Sequence, residues 1–215
     1  MNLLLIGAPG AGKGTMSEKI IDKYDVIHVS TGDMLRSAVK NETPVGLKAQ
    51  EYMNKGALVP DEIIHDIIVE RLSQDDIKKG FLFDGYPRTE AQAIDLDNIL
   101  DELGLKVDAV INLNVDEEIL IKRITGRRSC SKCGKIYNVY FQAPKTENVC
   151  DDCGSELIQR KDDNEESLKK RLEEFHKNTE PVINYYENKE IVHHFDGTKD
   201  QFEVFGEVCD ILGEL

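Results

Sequence analysis

The chain contains no tryptophan, and no run of about 18 apolar residues is long enough to span a bilayer. We therefore expect no transmembrane role. Positive charge is in deficit, because 27 Lys and Arg residues face 41 Asp and Glu residues, for a net charge of −14. An acidic protein of this kind repels nucleic-acid backbones and anionic membranes, so neither is an expected partner.

The amino-terminal residues lack the basic segment with which a secretory signal peptide begins. Residues 3–6 are instead a short apolar run that leads into glycine, which predicts a first buried strand. We accordingly expect a cytoplasmic protein. A chain of 215 residues, 40% of them hydrophobic, predicts one main domain with length left over for small inserts.

Arginine is scarce, at eight of the 27 basic residues, and most of the arginines lie in or beside the motifs described below. They are Arg36, Arg88, Arg123, Arg127, Arg160 and Arg171. This placement predicts a focused anion pocket on an otherwise acidic protein. The alternative is that these arginines are solvated charges on helix surfaces.

Short apolar runs alternate with segments of helical periodicity along most of the chain. Strands are predicted at residues 3–6, 26–29, 81–84, 107–113 and 191–195, and helices at 13–24, 31–40, 45–54, 61–72, 89–103, 116–125 and 165–188. This alternation predicts an α/β fold with a parallel sheet. We expect a core domain of residues 1–29, 60–125 and 164–215, with a helical insert at 30–59 and a small hairpin-rich insert at 126–163.

Residues 7–15, Gly-Ala-Pro-Gly-Ala-Gly-Lys-Gly-Thr, join the first predicted strand to the first predicted helix. At such a junction the backbone N–H groups and the helix N-terminus can bind phosphates, and glycine lets the backbone approach them closely. Lys13 is placed to reach the β- and γ-phosphates of a nucleotide. The alternative is a glycine-rich turn with an incidental lysine.

The loop departs from the general phosphate-loop pattern, because Gly14 separates Lys13 from the hydroxyl of Thr15. The spacing therefore does not support direct Mg²⁺ ligation by a loop hydroxyl. Asp84, at the carboxyl end of a predicted strand, and Asp33 are the candidates to hold Mg²⁺, through water because the ion loses its waters reluctantly. For Asp33, a helix-capping role is the alternative.

Four cysteines form two C-x₂-C pairs, Cys130 with Cys133 and Cys150 with Cys153, separated by 16 residues and each followed by glycine. This spacing predicts a tetrahedral zinc site, which is structural because four thiolates leave no open coordination position. Two disulfides are the alternative, which a reducing cytoplasm disfavours. Cys209 lies outside the cluster, and we expect it to be a buried apolar residue in the last helix.

Further motifs follow the phosphate loop in a fixed order. They are Ser-Thr-Gly-Asp-Met-Leu-Arg at 30–36, Phe-Asp-Gly-Tyr-Pro-Arg-Thr at 83–89, Gly-Arg-Arg at 126–128 and Arg-Lys-Asp-Asp at 160–163. With the loop they resemble the adenylate kinase family over essentially the whole chain. The resemblance implies a nucleoside monophosphate kinase fold, in which helices flank a five-stranded parallel P-loop sheet, with a helical AMP-binding insert and a zinc-binding lid.

The implied reaction is reversible phosphoryl transfer from ATP to AMP, which gives two ADP and maintains the adenine nucleotide balance, with Mg²⁺ bound alongside ATP. The residues that the resemblance implies on the ATP side are Gly10, Ala11, Gly12, Lys13, Gly14, Thr15, Arg123, Arg127, Ile136, Tyr137 and Lys199. Those implied on the AMP side are Thr31, Arg36, Ala57, Leu58, Val59, Gly85, Tyr86, Pro87, Arg88, Gln92, Arg160 and Arg171. Lys13, Arg88, Arg123, Arg160 and Arg171 are the implied catalytic residues.

Two of these residues have an expected contact with a base. Gln92 is expected to recognise the AMP adenine by paired hydrogen bonds, and Arg123 to stack its planar guanidinium on the ATP adenine. Met16 stands where many family members have glutamine, a change that we expect to be tolerated.

The implied chemistry needs no histidine, because the attacking phosphate oxygen of AMP is already anionic. We therefore expect His193 and His194 to be ordinary packing or surface residues. Water must be excluded from the site, and closure of both inserts over the nucleotides would exclude it.

Two other readings remain at this point. One is another small-molecule P-loop kinase, acting on GMP, UMP or a small alcohol, although Thr31 and Gln92 favour AMP. The other is a zinc-ribbon ATPase module that binds nucleic acid or protein, but the lid segment lacks the basic stripe that such a module needs. A monomer is expected, because inserts that close need room to move.

Overall fold

A computed structural model describes residues 1–55 and 57–214 of the chain. Its centre is a five-stranded parallel sheet in the order β2-β3-β1-β4-β8. The strands are β1 (Asn2–Gly7), β2 (Ile27–Ser30), β3 (Phe81–Asp84), β4 (Ala109–Asn114) and, after three short strands elsewhere, β8 (Val192–Asp196). The parallel α/β sheet expected from the sequence is confirmed, with strand limits that differ by up to two residues.

Apolar residues on both faces of the central strands explain why the sheet is parallel and buried. Leu3, Leu4 and Leu5 of β1 are all fully buried, and successive side chains point to opposite faces. Leu4 belongs to one hydrophobic core and Leu3 and Leu5 to another, so the sheet separates two cores. Helices cover each core from outside.

The α-helices are α1 (Lys13–Tyr24), α2 (Thr31–Lys40), α3 (Pro44–Lys55), α4 (Asp61–Leu72), α5 (Glu90–Glu102), α6 (Glu117–Thr125), α7 (Glu165–Glu174), α8 (Glu180–Glu187) and α9 (Gln201–Leu212). A 3₁₀ turn at Asp75–Lys79, which the periodicity did not predict, precedes β3. None of the helices within residues 1–55 and 57–214 combines the length and apolarity needed to cross a membrane.

The register of the sheet determines which strand ends lie next to the phosphate loop. Leu5 of β1 pairs with Asp84 of β3, and Gly7 pairs with Leu113 of β4. The phosphate loop therefore leaves β1 at the edge where Asp84 ends β3. In parallel sheets this carboxyl edge is where ligands bind.

Helices α2 and α3 lie in the 30–59 insert and pack closely against each other. A Cβ atom added at Gly46 would lie 2.2 Å from the backbone carbonyl of Ala38, so glycine is what permits this approach. Ser30 caps α2 by accepting a hydrogen bond from the N–H of Asp33.

The 126–163 segment contains a three-stranded antiparallel sheet in the order β6-β5-β7. Its strands are β5 (Arg127–Cys130), β6 (Ile136–Asn138) and β7 (Leu157–Ile158). A small separate core consists of Cys130, Tyr137, Cys150 and Leu157. So few apolar residues cannot stabilise a domain alone, which leaves the cysteines as its structural centre.

The single helix predicted over 165–188 is interrupted. A π-helical turn at Phe175–Thr179 separates α7 from α8. Pro181 lies two residues after it, and proline has no N–H to donate while its ring crowds the carbonyl one turn earlier. The helix adapts by widening upstream of the proline, where the Thr179 hydroxyl donates to the carbonyl of Arg88 at 3.1 Å.

Candidate active site and metal centre

The loop between β1 and α1 is shaped by left-handed glycines. Gly10 has φ 88° and Gly12 has φ 101°, values that side chains disfavour. Lys13 folds back into the loop and donates from Nζ to the carbonyls of Gly7 at 2.7 Å and Ala8 at 3.1 Å. The ammonium group therefore lies inside the loop, where a bound phosphate would replace these carbonyls as its partner.

Burial lowers the pKa of Lys13 to about 8. The carboxylate of Asp84 opposes this effect, while the positive charges of Arg88, Arg171 and Arg127 add to it. The loop lysine is thus surrounded by more positive than negative charge. A bound polyphosphate would reverse this balance and favour the ammonium form.

One cleft extends from Lys13 to the helical insert, and it brings together most of the residues predicted on the AMP side. Its lining includes Thr31, Arg36, Ala57, Leu58, Val59, Gly85, Tyr86, Pro87, Arg88, Gln92 and Arg171. At the wall of the cleft, the backbone N–H of Arg88 donates to Gln92 Oε1 at 2.8 Å. The hydroxyl of Thr31 donates to the carbonyl of Gly85 at 3.0 Å.

Two arginines that line this cleft lie close enough for each to feel the other's charge. Burial, followed by the charge of Arg171, lowers the pKa of Arg88 to about 10. Burial likewise lowers the pKa of Arg171, although the carboxylate of Asp162 opposes it from 2.9 Å. Guanidinium groups held together at this cost mark a site for an anion.

Arg160 is not part of the cleft lining, but it belongs to the same charge cluster. Burial lowers its pKa to about 10, with further lowering from Arg127 and Arg36 and opposition from Asp163 and Asp162. It is therefore close enough to the cleft arginines for their charges to interact.

Arg123 joins the phosphate loop to the loop that follows β8. Its guanidinium donates to the carbonyl of Ala11 at 3.2 Å and to the carbonyl of Gly197 at 2.8 Å. Burial lowers its pKa. Arg123 therefore lies against the phosphate loop.

Other residues predicted on the ATP side have partners within the protein. Arg127 is paired with Asp163, and Lys199 contacts Glu207 on α9. The ring of Tyr137 is buried in the lid core, where its hydroxyl lies 3.6 Å from the Cys150 sulfur and accepts from the N–H of Asp151 at 2.8 Å. The Tyr137 side chain is thus engaged within the lid, whereas the side chain of Ile136 is exposed.

The two candidate Mg²⁺ residues have different surroundings. Asp84 is half-buried beside the loop, with His28 at 3.8 Å. Asp33 is exposed on α2 and forms an ion pair with Arg36, one turn along. Desolvation raises the pKa of Asp33, but the ion pair outweighs it, so the pKa is lowered overall. Asp84 is therefore the better placed of the two to hold a water ligand of Mg²⁺.

A contact that the sequence did not reveal fixes the side chain of Gln92. Its Nε2 donates to Asp61 at 2.6 Å, and its Oε1 accepts from the backbone N–H of Arg88 at 2.8 Å. Asp61 begins α4, where an acidic residue is common for reasons of helix polarity alone. No pattern in the sequence distinguishes it from such a residue.

The four cysteines of the two C-x₂-C pairs converge on one point, with all their sulfur atoms within 4.8 Å of one another. The Cys130 and Cys153 sulfurs are 3.4 Å apart, and those of Cys133 and Cys150 are 3.6 Å apart. A disulfide needs about 2.05 Å, whereas a tetrahedron of thiolates about 2.3 Å from a metal has edges of about 3.8 Å. The cluster therefore fits a structural metal site.

Comparisons with known proteins agree with this geometry. A family model described as Adenylate kinase matches residues 5–191. The chain is 53% identical over 215 residues to the protein named Adenylate kinase of Geobacillus sp. (strain WCH70), with 100% of both chains covered. It is 51% identical over 215 residues to that of Bacillus subtilis (strain 168), covering 100% of this chain and 99% of the relative. For Clostridium tetani (strain Massachusetts / E88) the identity is 48% over 215 residues, with 100% of both chains covered.

Proposed function

The chain belongs to the adenylate kinase family, and on this premise we propose that it transfers the γ-phosphoryl group of ATP to AMP and forms two ADP. It is a nucleoside monophosphate kinase, a phosphotransferase. The observation that carries the proposal is the convergence of Lys13, Arg88 and Arg171 on one cleft at the carboxyl edge of the sheet.

The reaction requires that the phosphates of ATP and AMP be aligned and that the charge on the transferring group be neutralised. The nucleophile is a phosphate oxygen of AMP that carries no proton to remove, so a general base is not required. Lys13 and Arg123 would hold the ATP phosphates, while Arg88, Arg160 and Arg171 would hold the AMP phosphate and neutralise the transferring group. Lys13, Arg88 and Arg171 line one cleft, and fixed cations around a transferring phosphoryl group favour transition-state stabilisation.

Mg²⁺ bound with ATP would neutralise β- and γ-phosphate oxygens and orient them for in-line transfer. Asp84, and to a lesser extent Asp33, would hold its water ligands. A carboxylate beside the loop lysine fits this role, because Mg²⁺ prefers oxygen ligands and keeps several waters.

We assign zinc to the four-cysteine site. Zinc is the ion that tetrahedral thiolate sets of this spacing bind in structural sites. The ion would be bound by Cys130, Cys133, Cys150 and Cys153. It would stabilise the lid and would not contact the transferred phosphoryl group. The lid's own core of a few residues makes the metal necessary for its fold.

Closure of the 30–59 and 126–163 inserts would exclude water and so prevent hydrolysis of ATP. Single-turnover kinetics test whether opening then limits turnover, since a chemical step no faster than overall turnover would exclude this. The proposal also includes a monomeric cytoplasmic enzyme with ATP, AMP and ADP as its partners and without a nucleic-acid or membrane partner.

The proposal is tested with purified protein and Mg-ATP, by following ADP formation with AMP, GMP, UMP or water as acceptor. Fast formation of ADP with AMP alone is expected. Slow ATP hydrolysis that is indifferent to AMP would contradict the proposal. In the same assay, Arg88→Ala should lower kcat by about 10³-fold, by analogy with arginines that stabilise phosphoryl transfer elsewhere.

A further inference from the structure

We propose that Asp61 sets the base specificity of the AMP site by fixing the orientation of the Gln92 side-chain amide. The inference rests on the proposed function, because it concerns which monophosphate the cleft accepts. It makes Asp61 a positioning residue that acts through Gln92.

The hydrogen bonds around Gln92 allow only one orientation of its amide. A carboxylate has no proton to donate, so the group that faces Asp61 Oδ1 at 2.6 Å must be the NH₂ of Gln92. The backbone N–H of Arg88 can only donate, so the atom that it meets at 2.8 Å must be the amide oxygen. A flipped amide would place oxygen against carboxylate and NH₂ against N–H.

The Asp61 carboxylate is itself held in place. The Thr89 hydroxyl donates to its second oxygen at 3.2 Å and accepts from the backbone N–H of Gln92 at 3.1 Å, as the N-cap of α5. Gln92 is only 6% exposed, so water could not readily satisfy the mismatched groups of a flipped amide. The orientation is therefore fixed from both ends.

The groups that remain free on the amide match one base edge. The Gln92 NH₂ keeps one hydrogen and its oxygen keeps one lone pair, and Gln92 lines the cleft. Adenine offers an acceptor at N1 beside a donor at its 6-amino group, which complements this pair. Hypoxanthine and guanine offer the reverse, a donor at N1 beside an acceptor at O6, and they would need the flipped amide.

The test compares kcat/KM for AMP and for IMP with saturating Mg-ATP. IMP differs from AMP in the 6-substituent and the N1 proton alone, so it isolates the reversal of donor and acceptor. In Asp61→Asn the new side chain can present either oxygen or NH₂ to Gln92, so a flipped amide would be opposed by the Arg88 N–H but no longer by a carboxylate. We expect the AMP-to-IMP ratio to fall at least about tenfold, because the contact between the amide oxygen and the Asp61 carboxylate, which opposes the flipped amide that IMP needs, is removed.

Glu62→Gln is the matched control, because it removes the adjacent first-turn charge of α4 and should keep the ratio within about twofold of the wild type. Asp61→Ser is a second variant with the same expectation as Asp61→Asn. In a Gln92→Ala background, Asp61→Asn should change the ratio no further, since Asp61 acts through Gln92.

A ratio in Asp61→Asn and Asp61→Ser within about twofold of the wild type would overturn the inference, even if both rates fall in parallel. A further drop of the ratio in the Gln92→Ala background would overturn it as well. Failure of the proposed function would look different, because the unmodified protein would then form no ADP from AMP.

Discussion

Arg127 donates from Nε to one oxygen of the Asp163 carboxylate at 2.9 Å and from Nη2 to the other oxygen. The Asp163 side chain is fully buried, and that of Arg127 is 16% exposed. Arg127 begins the first lid strand, and Asp163 ends the segment that returns to the core. The ion pair therefore joins the two points at which the chain crosses between core and lid.

Asp163→Ala should destabilise the protein by about 3 kcal/mol, because it leaves a mostly buried guanidinium without its carboxylate. The measurement is the midpoint of urea unfolding, with the slope checked for a change in cooperativity. Asp162→Ala is the control, because Asp162 pairs with Arg171 at a more exposed position and should lower the stability by about 1 kcal/mol or less. Equal losses of stability in the two variants would show that burial of the Arg127–Asp163 pair does not increase the cost of removing its carboxylate.

Nucleotide affinity should weaken as pH rises through the pKa of Lys13, which burial lowers to about 8. Phosphates bind the ammonium form, so above this pH binding must take up a proton. We expect the Kd for ATP to rise about tenfold between pH 7 and pH 9. Calorimetry in buffers of different ionisation heat measures both the Kd and the proton uptake. Lys13→Gln should bind weakly and without this slope; the same slope in Lys13→Gln would assign it to another group.

Loss of one cysteine ligand should release the lid metal. Cys153→Ser is expected to lower the zinc content from about one per chain to near zero and to lower the Tm, because the site supplies folding energy to the lid. Cys209→Ser is the control, since Cys209 lies on α9 outside the cluster. Metal analysis and thermal unfolding are the measurements. Zinc retained in Cys153→Ser, or lost in Cys209→Ser, would contradict the assigned site.

Two glycines in helices should respond in opposite directions to alanine. At Gly46 the added Cβ would lie 2.2 Å from the Ala38 carbonyl, so Gly46→Ala should separate α2 from α3, lower the stability by about 1–3 kcal/mol and raise the KM for AMP. At Gly206, within α9, the added Cβ would meet nothing within 4 Å. Gly206→Ala should therefore stabilise the protein by about 0.5–1 kcal/mol. Unfolding midpoints compare the two variants, and a loss in both would show that the α2–α3 contact is not the cause.

Local sequence patterns predicted much of this molecule. The apolar runs gave the five parallel strands, because residues such as Leu4 and Phe83 lie in a sheet that is buried on both faces. The glycines around Lys13 predicted a loop whose backbone conformation Gly10 and Gly12 do adopt. The C-x₂-C pairs predicted the convergence of four sulfur atoms, because metal-ligand spacing is a local property.

Contacts between residues distant in the chain were not predictable in the same way. The pairing of Asp61 with Gln92 joins the start of α4 to α5, and each residue alone resembles an ordinary helix surface residue. Arg127 was predicted to face ATP, whereas its contact with Asp163 depends on how the lid returns to the core. The π turn before Pro181 was missed because periodicity does not register a widened turn.

The most direct test of the central claim follows the γ-phosphoryl group of ATP itself. ATP labelled at the γ-phosphorus is incubated with AMP and the purified protein, and the label is located in the products. Direct transfer between the two nucleotides predicts the label in the β-position of ADP formed from AMP, two ADP per ATP consumed, and little inorganic phosphate. Label that appears mainly as inorganic phosphate, at a rate independent of AMP, would contradict the claim.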